Sequence, residues 1–129
     1  MAALGPITPK PSSRTYASVV ISTEATGESD SINITGLTLS SIETSTEWTA
    51  AAIGFKASIG TTNLYQVCDI YGDALAYKTT AKRILAFDPA VFSGIQKLQL
   101  VSMTTAGVVV QQTSPRTFYL GLSEYVTAD

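Results

Sequence analysis

From Thr15 onward, apolar side chains recur at every second position, the period of a strand with one face buried. Tyr16-Ala17-Ser18-Val19-Val20-Ile21 opens the first strand, and a polar turn containing Gly27 follows from Glu24 to Asp30. Ile32 and Ile34 alternate with Ser31, Asn33 and Thr35; after Gly36, Leu37 and Leu39 resume the alternation. Ile53, Phe55, Ala57 and Ile59 fall on one face, opposite Gly54, Lys56 and Ser58. Beyond the turn Gly60-Thr61-Thr62-Asn63, the pattern predicts strands over 64–71, 74–79, 83–87, 95–103, 108–112 and 117–126. Short strands at this spacing, punctuated by Gly, Pro and Asp, predict an all-β sandwich or barrel. Of these, an antiparallel, jelly-roll-like β-sandwich is the expected form.

Two stretches compete with the two-residue period. Ser40-Ser41-Ile42-Glu43 and Thr44-Ser45-Thr46-Glu47 each match the capping box that opens a helix, and Trp48-Thr49-Ala50-Ala51-Ala52 would carry one turn of it. Such matches arise readily by chance in a chain rich in hydroxyls. In Asp88-Pro89-Ala90-Val91-Phe92, proline stands at the first helical position after an aspartate. A single helical turn is expected there, at a corner between strands.

The N-terminus follows neither period. Pro6, Pro9 and Pro11 fix φ, remove backbone donors and bias their predecessors toward extended geometry. Residues 1–14 therefore read as an extended arm, and residues 15–129 as a single sandwich domain. Leu4 and Ile7 give the arm apolar side chains to plant on its own domain or on a neighbour. Leu4, Pro6, Ile7, Pro9, Pro11 and Arg14 are accordingly candidate interface residues.

Composition narrows the function classes. Of 129 residues, 14% are charged and 32 are Ser or Thr, with 8 Lys and Arg against 10 Asp and Glu. A surface of hydroxyls is less strongly solvated than one of charges, which suits an interface. An all-β protein equally carries threonines on its outer strand faces, because a branched Cβ fits the pleat. A net charge of −2 gives no electrostatic basis for broad nucleic-acid binding, which needs a clustered positive face. The chain has no histidine, so it lacks the commonest general base and the commonest metal ligand. No basic-then-apolar leader opens it and no apolar run approaches 18 residues; synthesis in the cytosol with no membrane span is expected. The sequon Asn33-Ile34-Thr35 then carries no meaning.

Candidate chemistry is sparse. Cys68 is the sole cysteine; alternation places it with Leu64 and Ile70, which predicts a buried small hydrophobe. Asp69 and Asp73 bracket Gly72 and read as a turn, without the dense oxygen run of a calcium loop. Glu28 with Asp30 is the other candidate for metal or acid chemistry, and Glu43 with Glu47 would supply the carboxylate pair of sugar hydrolysis, but their polar surroundings give no reason for a raised pKa. No phosphate loop or nucleophile elbow is present. No enzyme, cofactor or metal site is expected. Among the aromatics, Phe55, Phe87 and Phe118 are in phase with aliphatic neighbours and read as core. Tyr65 and Tyr71 are out of phase, and Trp48 flanks a polar stretch. These three would serve a sugar platform or a protein interface, since Tyr and Trp favour both, and Trp48 joins the interface candidates.

Residues 87–102, Phe87-Asp88-Pro89-Ala90-Val91-Phe92-Ser93-Gly94-Ile95-Gln96-Lys97-Leu98-Gln99-Leu100-Val101-Ser102, lead to Val110-Gln111-Gln112-Thr113-Ser114-Pro115-Arg116-Thr117-Phe118-Tyr119-Leu120. This pattern resembles the closing segment of small structural proteins of tailed-bacteriophage virions. In that family an aspartate-proline corner and Phe-x-Gly precede a strand, a second strand carries a Val-x-Gln step, and an Arg opens the last strand. The likeness covers about a quarter of the chain and departs from the family at Ser102–Gly107 and at Ser114-Pro115. The resemblance implies a capsid cement or decoration protein, oligomeric, contacting the major capsid protein or other virion proteins, and located in a virion assembled in the host cytoplasm. A receptor- or glycan-binding module of a tail or fibre is the alternative.

Overall fold

Alternation becomes two antiparallel sheets in a computed structural model that describes residues 14–124, with the backbone alone described at Arg14. The strands are β1 (Arg14–Ile21), β2 (Ile32–Asn33), β3 (Thr38–Glu43), β4 (Ala51–Ser58), β5 (Tyr65–Gln66), β6 (Ala76–Thr79), β7 (Ile84–Ala86), β8 (Lys97–Met103) and β9 (Arg116–Ser123). The first sheet runs β1-β9-β3-β7. The second runs β2-β8-β4, with β5 and β6 pairing successive stretches of the far edge of β4. Most connections therefore cross from one sheet to the other. A four-stranded and a five-stranded layer wound in this order, with β5 and β6 sharing one position beside β4, form the jelly roll, in which two Greek keys share one core.

Side-chain period sets which face meets the core. In β9, Arg116, Phe118, Leu120 and Leu122 point inward and are buried, while Thr117 and Tyr119 point out. Opposite them, β8 contributes Leu98 and Leu100, and β4 contributes Ile53 and Phe55. A bulge in β3 between Leu39 and Ser41 delays the inward phase by one residue, so Leu39 and Ile42 are the buried positions. Each fully buried aromatic or branched side chain contributes roughly 1.5–3 kcal/mol of transfer free energy. An edge-to-face ring cluster joins the two sheets at one end: Phe55 contacts Phe92 at 4.9 Å, and Tyr77 contacts Phe87 at 4.9 Å.

The single-turn expectation at Asp88 holds. Pro89–Phe92 is a 3₁₀ turn whose Asp88 side chain accepts the Ala90 N–H, and it drives Phe92 into the core. Neither capping-box match opens a helix: residues 40–43 lie in β3, and β4 begins at Ala51. Cross-strand pairing and burial of Ile42 and Ile53 outweigh the local match.

Three expectations are corrected. The 64–71 run is a strand only at Tyr65–Gln66; the chain then leaves the sheet edge, so alternation no longer maps onto a buried face. Cys68 is consequently exposed, and Ile70 is 92% exposed. Ile59 is 78% exposed because β4 ends one residue earlier, at Ser58. Residues 108–112 are not a strand. The turn at Thr104–Gly107 returns the chain for a single bridge, Met103 to Val109, before Gln112 turns inward.

Candidate functional site

The arm residues Leu4, Pro6, Ile7, Pro9 and Pro11 lie outside the described residues. Arg14 begins β1, where its backbone pairs with Ser123. The remaining candidate, Trp48, stands at the opposite end of the sandwich from that arm root. Its ring meets Phe118 edge-on at 5.1 Å, and its Nε1 donates to the Ala51 carbonyl at 3.0 Å. Half-buried, it closes the core and leaves one side on a surface groove of about 740 Å³.

Beside Trp48 lies a buried polar network. Gln112 Nε2 donates to Ser102 Oγ at 2.8 Å, and Arg116 Nε donates to Gln112 Oε1 at 3.1 Å. Arg116 Nη2 also donates to Thr49 Oγ1 and Thr113 Oγ1, both at 3.1 Å. No carboxylate lies within ion-pair distance of Arg116 among the described residues. Its charge is instead spread over neutral oxygens. Glu43 and Glu47 line a shallow cleft of about 210 Å³ with Arg116, which places the sequence's paired glutamates at one strand end.

The outer face of the first sheet carries a separate constellation. Strand register aligns Ser18, Tyr119, Glu43 and Ile84 in one row, and Tyr16, Gly121, Ser41 and Ala86 in the next. Tyr16 and Tyr119 touch edge-on at 6.2 Å, and Tyr16 is 73% exposed. They wall a depression of about 380 Å³ whose floor is Gly121. A Cβ at Gly121 would meet Ser41 Oγ, so a side chain there would require the Ser41 hydroxyl to turn away. Such a face offers aromatic edges, a hydroxyl and one carboxylate to an incoming surface.

Between β5 and β6, at the edge of the second sheet, residues 67–75 form a hairpin finger. Cys68 bridges Ala74, and the Leu75 N–H donates to the Val67 carbonyl at 2.9 Å. Asp69 Oδ1 accepts the amides of Tyr71 at 2.8 Å and Asp73 at 3.1 Å, so the predicted aspartate turn is present. The tip presents Ile70 and Tyr71 to solvent, Tyr71 being 83% exposed. Tyr65 is exposed, as is its neighbour Gln66, so β5 buries neither face.

Glu28, bridged to Val101 on the edge of β8, forms an ion pair with Lys56 across the outer face of the second sheet. Asn33 Oδ1 accepts from both the amide and the hydroxyl of Thr35, which makes the sequon a local turn. Tyr77, packed against Phe55 and Phe87, has its phenol raised above 10.0 by burial. Among the described residues, no three His, Cys, Asp or Glu side chains are grouped to hold a metal ion, and no helix is long and apolar enough to cross a membrane.

Alternation alone did not single out Tyr16 and Tyr119. Both lie out of phase with the core of their strands, the same signal that picked out Tyr65 and Tyr71, but only strand pairing brings them together. Comparison with protein-family models, with curated proteins and with solved structures finds no match to the chain.

Proposed function

We propose that the protein is a non-enzymatic virion structural subunit of the capsid cement or decoration type, which stabilises contacts between capsid subunits. The outer face of the first sheet carries this reading. Tyr16, Tyr119 and Ile84 stand exposed there on a rigid sheet whose only charge in that depression is Glu43. Aromatic side chains with few charges around them are the composition of an interface core. The edge strand β1 continues directly from the proline-rich arm, so one sheet would present both a face and a tether. An extended segment that adds to a neighbour's sheet edge converts backbone pairing into assembly strength. The major capsid protein or other virion proteins would be the partners, in a particle assembled in the host cytoplasm.

Deleting residues 1–13 tests the tether. The sandwich should melt as the full chain does, because β1 begins at Arg14, while binding to capsids and particle stability fall. A truncated protein that decorates capsids normally would overturn the reading.

The paired Tyr16 and Tyr119 rings over a glycine floor favour a second reading, a glycan- or receptor-binding module of a tail or fibre. Glycan binding that disappears in Tyr119→Ala, with no capsid association, would replace the first reading with this one. Trp48 is the poorer reporter, since its indole is already engaged by Phe118 and Ala51.

A further inference from the structure

Two further features complement each other: a finger at the edge of the second sheet, and a groove that meets the depression walled by Tyr16 and Tyr119 at Ile84. The finger at 67–75 presents two large apolar side chains, Ile70 and Tyr71, beyond any contact with the core. Exposing both at the end of a projecting hairpin costs solvation without local return, yet the turn beneath them is held by the Asp69 carboxylate and by the Gly72 amide donating to the Asp69 carbonyl at 3.0 Å. The charges of this segment are Asp69 and Asp73, with no cation between Val67 and Leu75.

The groove beside Trp48 has the opposite character. Its apolar lining includes Trp48, Ala50, Ala52 and Leu85, and its charges are Lys78 and Arg83, with no carboxylate in the lining. Lys78 and Arg83 are exposed, and neither is ion-paired among the described residues. Its volume of about 740 Å³ suits a pair of inserted side chains. An acidic-collared apolar tip and a basic-rimmed apolar groove thus stand on one chain.

We infer that the finger of one copy docks in the Trp48 groove of the next, with Ile70 and Tyr71 over the apolar floor and Asp69 and Asp73 facing Lys78 and Arg83. Different surfaces meet in this contact, so it is heterologous, and it closes into a ring or propagates along a lattice. The inference deepens the structural-subunit reading by supplying the contact between copies, and it fails separately from it.

Sedimentation velocity of the full chain over a wide concentration series reads the contact directly. The unaltered protein should associate as concentration rises. Ile70→Ser/Tyr71→Ser, at solvent-facing positions, should keep the fold by circular dichroism and weaken association about tenfold or more, as loss of central anchors does. Asp73→Lys should weaken it, as should Lys78→Asp/Arg83→Asp. Mixing those two proteins should restore it, because the unaltered finger of one then meets the unaltered groove of the other, and the lysine finger meets the aspartate groove. Asp69 is left intact in this test because it holds the turn. A chain that stays monomeric throughout, a serine variant that associates normally, or a mixture without recovery would each overturn the contact. Capsid binding retained by a monomeric chain would overturn the contact alone and leave the cement reading standing.

Discussion

Gln112 holds the Thr49 peptide from both sides: its Oε1 accepts the Thr49 N–H at 3.0 Å, and its Nε2 donates to the Thr49 carbonyl at 3.2 Å. One carboxamide thereby does for the loop before β4 what a neighbouring strand would do. The same two atoms also serve Arg116 and Ser102, so four polar groups depend on one side chain.

Gln112→Ala should therefore cost more than its volume suggests. It would leave Ser102 Oγ and Arg116 Nε, both buried, without this partner, and the half-buried Thr49 backbone without either of its bonds to the side chain. Each buried orphan costs about 1–3 kcal/mol, and with partial relaxation a loss of ~2–4 kcal/mol is expected. Urea denaturation reads it directly. A change typical of surface substitutions, within about 0.5 kcal/mol, would show that the network contributes little.

The second sheet depends on a close approach between Gly54 and Met103. A Cβ at Gly54 would collide with the Met103 sulfur, and both residues are buried. Gly54→Ala should lower stability by about 1–3 kcal/mol through overpacking. Met103→Ala alone should also destabilise, by leaving a cavity. Combined, the two changes should cost clearly less than their sum, because each relieves the other's fault. Simple additivity in thermal melts would mean that the sulfur moves aside without penalty.

These contacts explain how far the sequence could be read. Period two revealed most strands, because each had one buried face, and the Asp88-Pro89 corner followed from local chemistry alone. Ile59 and Cys68 depart from their alternation because the strands end earlier than the apolar runs do. Nothing local marks that end; it depends on which partner strand remains alongside. Gln112 read as part of a strand for the same reason. Its role appears only when residues 49, 102 and 116, distant in sequence, converge. The surface pair Tyr16 and Tyr119 likewise exists only through the register of β1 against β9.

The finger should prove locally rather than globally dependent on Asp69. Asp69→Ala removes the acceptor for the Tyr71 and Asp73 amides while touching no core side chain. Hydrogen bonds to a charged group contribute about 1.5–3 kcal/mol, so exchange of those two amides should quicken roughly tenfold or more. The melting transition of the sandwich should move little. Equal acceleration of amides in β8 and β9 would show instead that the finger supports the whole fold.

Alkaline pH should expose the burial of Tyr77. Its phenol lies above the ordinary 10.0 because burial disfavours the phenolate. The folded chain thus holds this proton more tightly than the unfolded chain does. Below the unfolded value both states are protonated, and the contribution to stability is complete. As pH rises past it, the unfolded chain gains free energy by releasing the proton, so stability falls until the folded group also ionises. Tyr77→Phe keeps the ring contacts with Phe55 and Phe87 but has no proton to release. Urea denaturation at about pH 8 and about pH 11, on either side of the ordinary tyrosine value, should show a smaller loss for the variant. The other five tyrosines are common to both proteins and cancel in the difference. Equal losses would mean that the Tyr77 hydroxyl reaches water as freely in the folded chain as in the unfolded one.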